Sequence, residues 1–353
     1  MSGMIRFIDL FAGIGGFRIG MENNDLKCVF SSEIDTYCRN TYLTNFGELP
    51  SGDITQINER FIPEHEILCA GFPCQPFSIS GNKLGFEDTR GTLFFDILRI
   101  AQSKKPRVIF LENVKHLVHH DKGRTLKTII NKLESLGYTV NWEVLNAKDF
   151  GVPQNRERII IIGNIDGLKF DFSRVRRHKE VFLKDFLDPK GDFEYLSDDE
   201  YTLIENPKKQ KSGLIFVGYR NKKIRRVGVR PNTKHLSRVH KQPNRIYSVE
   251  GVHPTLPAQE TSGRFWVLHE EKVRKLTISE CYRIMGFPEN YIKVGPLSEQ
   301  YKQIGNSICV PMVEEIGKQI VEQFFKEDER CLPRENYSKP SISKQSQLLV
   351  AAK

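Results

Sequence analysis

From residue 5 to residue 162 the chain repeats one pattern: a short apolar run, a turn, then a stretch long enough for a helix. The strand-like runs are 5–10, 27–32, 66–70, 108–111, 139–145 and 158–162. The helix-like stretches are 14–22, 36–46, 92–103 and 125–136; in the third, Leu93, Ile97, Ile100 and Ala101 form an apolar stripe. Strands separated by helices of that length return to the same edge before pairing. They therefore build an α/β fold, a doubly wound and mostly parallel sheet covered on both faces.

Beyond residue 170 the character changes. Residues 171–272 are rich in Gly, Pro and Arg, with short strand-like pieces at 214–217 and 265–268, which predicts a second, smaller, irregular β-rich domain. Helical periodicity returns at 279–285 and 310–325, so residues 273–326 rejoin the first domain, which spans 1–170. Residues 327–353 are polar and mixed and read as a flexible tail.

The chain has 353 residues, 39% of them hydrophobic, enough for a full-sized core. It has no apolar run of the roughly 18 residues a membrane span needs, and no signal-peptide pattern at its start, so a cytoplasmic protein is expected. The seven cysteines are scattered, without a CxxC pair or a nearby His cluster, which argues against a disulfide frame or a structural zinc. The net charge is +9, and the excess sits in Arg174-Val175-Arg176-Arg177, in Lys208-Lys209-Gln210-Lys211 and from Arg220 to Arg230. A basic stripe in one region is either a solvated face or the footprint of a polyanion.

Three motifs stand just past strands, where doubly wound sheets bind ligands, and a fourth stands just before one. Asp9-Leu10-Phe11-Ala12-Gly13-Ile14-Gly15-Gly16 follows the first. A dinucleotide fingerprint needs a third glycine at position 18, which is Arg18, and there is no Gly-Lys-Ser/Thr phosphate loop. Both absences favour a nucleoside without phosphates. Glu33, ending the second strand, suits ribose hydroxyls, and Asp53 suits an adenine amine. In Gly71-Phe72-Pro73-Cys74-Gln75-Pro76-Phe77-Ser78 a cysteine lies in a turn at the ligand edge. A lone cysteine is ordinarily a buried apolar side chain, but this placement favours a nucleophile whose thiolate needs local help. Leu111-Glu112-Asn113-Val114 aims a carboxylate at the same crevice, unless Glu112 only serves a helix dipole. Gln154-Asn155-Arg156-Glu157-Arg158 places two arginines on one face, either to pair with acids or to grip a base or phosphate.

In this order, and closed by Tyr282-Arg283-Ile284-Met285-Gly286-Phe287-Pro288 and Gln303-Ile304-Gly305-Asn306-Ser307, the motifs resemble the DNA cytosine-5 methyltransferase family in its short bacterial restriction–modification form. From Ser78-Ile79-Ser80-Gly81 to Arg90-Gly91-Thr92-Leu93 the wording is similar to members that read GCGC. The resemblance implies methylation of cytosine C5 from S-adenosylmethionine, with Cys74 adding to C6 of a base swung out of duplex DNA. It implies catalytic roles for Glu112, Arg156 and Arg158. It implies cofactor contacts from Phe11, Gly13, Gly15, Glu33, Asp53, Ile54, Pro73, Leu93, Asn306 and Ser307. Ile34 stands where relatives often carry a tryptophan against the adenine. DNA contacts fall to Gln75, Ser78, Ser80, Arg90, Gln242, Arg245 and Thr255, and the loop after Cys74 suits closure over the DNA. A monomer is expected, with a cognate restriction endonuclease as a genetic partner only. Three other readings compete. An RNA cytosine-5 methyltransferase is disfavoured by the basic middle region, a non-catalytic DNA-binding relative by intact Cys74, Glu112 and Arg158, and a Rossmann oxidoreductase by Arg18.

Overall fold

The computed structural model describes residues 4–73, 93–221, 244–259 and 262–326. Cys74, Gln75, Ser78, Ser80, Arg90, Gln242 and the tail expected at 327–353 lie outside the described residues.

The elements follow the alternation read from the sequence: β1 (Arg6–Leu10), α1 (Gly16–Glu22), β2 (Lys27–Ser32), α2 (Thr36–Phe46), β3 (Ile67–Gly71), α3 (Leu93–Lys104), β4 (Val108–Val114), α4 (Arg124–Ser135) and β5 (Thr139–Asn146). Two further strands, β6 (Gln154–Asn155) and β7 (Glu157–Asn164), complete this part. The main sheet has the order β2-β1-β3-β4-β7-β5. The ladders joining β2, β1, β3 and β4 are parallel, whereas β7 runs antiparallel to both β4 and β5. The link from β5 to β7 contains only a 3-10 turn and the two-residue β6. It is too short for a crossover, so β7 must turn back and slots between its neighbours. Pairing with β7 also carries β4 three residues beyond its apolar run, through Glu112-Asn113-Val114.

Side chains alternate across the sheet and bury both faces. Phe7, Cys69, Phe110 and Ile160 meet Phe17 and Met21 of α1 on one face. Ile8, Leu68, Ile109 and Ile161 meet Phe94 and Ile97 of α3 and Ile129 of α4 on the other.

The second sheet is built from β8 (Tyr201–Leu203), β9 (Phe216–Arg220), β10 (Arg245–Ser248), β12 (Trp266–His269) and β13 (Lys272–Lys275), in the order β13-β12-β10-β9-β8. Leu196, Val217, Ile246, Trp266 and Val273 form its small core. The strand expected at 214–217 starts at Phe216, because Leu214 O accepts from Gln210 N and Ile215 bridges to Lys209 around the Gln210–Gly213 turn. Between β10 and β12, the short β11 (His253–Pro254) leaves this sheet and pairs with β6, joining the two parts.

The chain then returns through α5 (Ile278–Arg283), α6 (Leu297–Asn306) and α7 (Val310–Ile320). α7 lies against α1 so closely that a Cβ on Gly20 would sit 2.7 Å from Val313. The single helix expected over 310–325 instead widens into a π turn at Val321–Phe325. There the Phe324 ring comes 6.0 Å from Phe170, and Phe325 lies 4.9 Å beneath Arg107.

Candidate active-site cleft

Because β1, β3 and β4 are parallel, their carboxyl ends open on one edge of the sheet. A cleft of about 480 Å³ lies along that edge. Its first wall is the turn after β1. Phe11, Gly13 and Gly15 all take positive φ there, at 58°, 55° and 80°. For Phe11 that backbone costs about 1–3 kcal/mol, a strain that the surrounding packing must hold. A Cβ on Gly13 would meet nothing within 4 Å, so the missing side chain leaves open space on the cleft wall. Gly13 N donates to Glu33 Oε2 at 2.8 Å, and Asp35 N donates to Glu33 Oε1 at 2.8 Å. Two backbone donors thus fix the carboxylate, and each oxygen keeps a lone pair for a hydroxyl.

Asp53 caps the short turn Ile54–Gln56, with Oδ1 accepting from Thr55 N at 2.9 Å. Its second oxygen remains for another donor. Phe11, Gly13, Glu33, Asp53, Ile54, Pro73, Leu93, Asn306 and Ser307 all line the cleft. Gly15 does not: it stands behind the turn, where a Cβ would come 2.3 Å from the Phe46 ring. Its hydrogen is needed for packing, while contact with a ligand falls to its neighbours. Ile34 also lines the cleft and is 68% exposed. Hydroxyl-accepting carboxylates, apolar Phe11, Ile34 and Ile54, and the open place at Gly13 fit an adenosine bearing an amino-acid tail.

The other half of the cleft is polar and nearly dry. Arg158 Nε lies 2.7 Å from Glu112 Oε1, with side chains 10% and 12% exposed. Val114 faces Arg158 across the antiparallel ladder, which brings the start of β7 to the end of β4. Asn113 Nδ2 donates to Phe72 O at 2.8 Å, tying β4 to the turn that leads to Cys74. Cys28, Cys69, Cys281 and Cys309 are buried and Cys38 is half-buried. Burial pushes the Cys28 thiol up to about 12 and the Cys309 thiol up to about 11, so neither supplies a thiolate near neutral pH.

The profile of C-5 cytosine-specific DNA methylases matches residues 5–322. The chain belongs to that family. Its methyl donor is S-adenosylmethionine, and its reaction is methylation of cytosine C5 in DNA. It is 45% identical over 327 residues to the Type II methyltransferase M.HhaI of Haemophilus parahaemolyticus, covering 90% of this chain and 94% of that protein. It is 43% identical to the Type II methyltransferase M.HpaII of Haemophilus parainfluenzae over 334 residues, 90% of this chain and 89% of the relative. Among solved structures, the S. pombe Dnmt2 methyltransferase superposes with a TM-score of 0.65 at 20% identity, covering 91% of this chain and all of that one, and shows the same fold.

Within this methylase the two arginines of Gln154-Asn155-Arg156-Glu157-Arg158 separate. Arg158 pairs with Glu112, whereas Arg156, between β6 and β7, donates through Nη2 to Ser307 O at 2.6 Å and Gly305 O at 3.1 Å. Arg156 is 1% exposed; burial, with the Arg158 charge beside it, brings its pKa down to about 9, which leaves it cationic at neutral pH. Both arginines still line the cleft. Their expected alternation onto one face fails because Arg156 falls in the break between two strands rather than within one.

Thr255 Oγ1 donates to Asn155 O at 2.9 Å, beside Arg156, and Arg245 opens β10 with its guanidinium 5.3 Å from the Phe216 ring. Sequence reasoning missed Cys38 and Lys302, which also line the cleft, and gave no role to Gln303, which lines it too. Lys302 Nζ donates to Asp35 Oδ2 at 2.8 Å and Glu299 Oε2 at 3.0 Å, bonds that raise its pKa. The only signal for Lys302 was its place next to the Gln303-Ile304-Gly305-Asn306-Ser307 motif.

Proposed function

We propose that the methylase acts on a cytosine turned out of duplex DNA, with Cys74 as the nucleophile that bonds transiently to C6. Cytosine C5 is too electron-poor to take a methyl group unaided. Addition of the Cys74 thiolate at C6 makes C5 nucleophilic. Glu112 holds N3 and the exocyclic amino group and favours a proton at N3 as the sulfur adds. Arg158 keeps Glu112 aimed and reaches the base near O2. When bound, S-adenosylmethionine supplies an electrophilic methyl group at C5. Loss of the C5 proton, for which water is an adequate base, then expels the thiolate.

The observation that carries this reading is the 2.7 Å Glu112–Arg158 pair, set in the same cleft as Glu33, Asp53 and Pro73. The Asn113–Phe72 bond supports it, because it ties the pair to the residues just before Cys74. Turning the base out costs a few kcal/mol, so DNA contacts must offset it. Gln75, Ser78, Ser80, Arg90, Arg245 and Thr255 serve that end, and Gln242 fills the vacated place. Residues 171–272 form the recognition domain between the two parts of the catalytic domain, 1–170 and 273–326. The protein works in the cytoplasm as a monomer, as the protective partner of a restriction endonuclease.

DNA carrying 5-fluorocytosine tests the mechanism. Fluorine at C5 cannot leave as a proton does, so a covalent complex should accumulate with the unaltered chain and vanish with Cys74→Ala, which still binds DNA. A Cys74→Ala protein that retained methyl transfer would refute it.

A further inference from the structure

A polar surface that the reading above leaves without a role lies beyond β4. The chain leaves the sheet at Val114 and runs through a 3-10 turn, Lys115–Val118, and a second turn, His120–Gly123, into α4. Residues 115–127 carry Lys115, Lys122, Arg124 and Lys127 against one acid, Asp121, and add three histidines. Part of this charge is already matched. Lys115 Nζ lies 2.8 Å from Glu157 Oε1, Arg124 pairs with Asp121, and His120 Nδ1 lies 2.7 Å from Thr125 Oγ1. His116, His119 and Lys122 are exposed and have no polar side-chain partner among the described residues. The His116 ring meets the ring of half-buried His120 edge-on at 5.9 Å.

The topology places this surface relative to the chemistry. In the order β2-β1-β3-β4-β7-β5, the cofactor residues on β1 and β2 lie on one side of β3. Lys115 and the turns after it leave the same edge on the other side, next to the Glu112–Arg158 pair. A duplex that delivers a base to this edge from outside must rest its backbone on the flanks of the opening. The turn after β4 stands on the catalytic domain itself.

Resting on the reading that the Glu112–Arg158 end receives the target base, we propose that His116, His119 and Lys122 form a second, sequence-independent contact surface for duplex DNA, taking phosphodiester oxygens of the strand beside the extruded nucleotide. Lys122 offers an ammonium, and each imidazole offers an N–H in either protonation state. Such contacts hold register without reading bases. Each neutralised phosphate releases a counterion, so the surface contributes to the salt dependence of binding as well as to affinity.

The test is a fluorescence titration of a short fluorescein-labelled duplex at several salt concentrations. The variant is His116→Gln/His119→Gln/Lys122→Gln, and the control Lys27→Gln removes a positive charge at the opposite edge of the sheet, where β2 begins. The triple variant should raise Kd about fivefold at low salt and flatten the plot of log K against log salt by about one unit. Lys27→Gln should leave the slope unaltered. Cofactor binding and the thermal midpoint, which a merely structural role would move, should stay with the unaltered chain. A triple variant with unchanged Kd and slope overturns the surface. So does one whose loss of affinity Lys27→Gln reproduces, because net charge alone then accounts for it. Trapping by 5-fluorocytosine DNA separates this outcome from failure of the mechanism. If the variant traps normally and binds normally, the surface falls and the catalytic reading stands. If the unaltered chain does not trap, the catalytic reading falls, while the salt slopes still decide the surface.

Discussion

Glu280→Gln is the sharpest probe of what joins the two parts of the chain. Glu280 is 0% exposed, and its carboxylate accepts four bonds. Arg274 gives two of them, Nη2 to Oε1 at 2.8 Å and Nη1 to Oε2 at 3.0 Å. Asp188 N and Thr277 N give the others, at 2.9 and 2.8 Å. The fork therefore links β13 of the second sheet, the segment entering it, and the capping box of α5. Gln at 280 has nearly the same shape but removes the charge and turns a donor toward donors. The Arg274 guanidinium, 1% exposed, would stay buried without its counter-ion. Removing one partner of such a pair costs about 3–5 kcal/mol. Arg274 also lies 4.1 Å from the Phe193 ring and donates to Lys275 O at 3.3 Å, contacts that soften the loss toward about 3 kcal/mol. Urea unfolding followed by circular dichroism reads the change as a lower midpoint at constant slope. In Arg274→Met/Glu280→Gln the orphaned charge is gone while the two backbone donors keep an acceptor, so about two-thirds of the loss should return. High salt should not reduce the single-variant penalty, because a dry pair is poorly screened. A Glu280→Gln cost below about 1 kcal/mol, or a double variant no better than the single, would refute the reasoning.

Three other outcomes follow from the structure. Gly15→Ala should lose more than about 2 kcal/mol, because it combines a left-handed backbone with a Cβ 2.3 Å from Phe46, and Phe46→Ala in the same chain should recover part of it in the same urea assay. Ile34→Trp should tighten S-adenosylmethionine binding about fivefold by calorimetry, since an aromatic face there adds roughly 1 kcal/mol; unchanged affinity would mean that Ile34 does not meet the adenine. Burial pushes His253 down to about 4, below its unfolded value near 6.5, so the unfolded chain takes up a proton first as pH falls. Stability should therefore hold above pH 6.5 and decline between about 6.5 and 4, by about 1.4 kcal/mol per unit at most from this group, and His253→Gln should flatten that decline in urea titrations across the range.

The regular elements were legible because their signal is local. The strand at Lys27–Ser32 and the helix at Thr36–Phe46 match the sequence reading residue for residue, and the other main elements shift by a few residues at their ends. Apolar runs of β length, separated by helices, leave a parallel sheet as the way to bury both faces. Glu33 and Glu112 were legible for the same reason: one follows β2 and the other closes the apolar run of β4, and parallel strands bring those ends to one edge, where the loop after α2 adds Asp53.

Position along the chain does not say what a side chain meets across it. Arg156 and Arg158 are two residues apart, yet one caps the carbonyls of Gly305 and Ser307 and the other pairs with Glu112. Gly15 resembles Gly13 in sequence but faces Phe46 instead of the cleft. Lys302 and Gln303 reach the cofactor wall only because α6 folds back over two hundred residues later. Local hydrophobic period fixes which residues are buried, and chain order fixes which strands can cross over. The short link after β5 made β7 antiparallel, but tertiary packing alone placed it between β4 and β5, and with that brought Arg158 to Glu112, since pairing energy arises between segments that no local pattern connects.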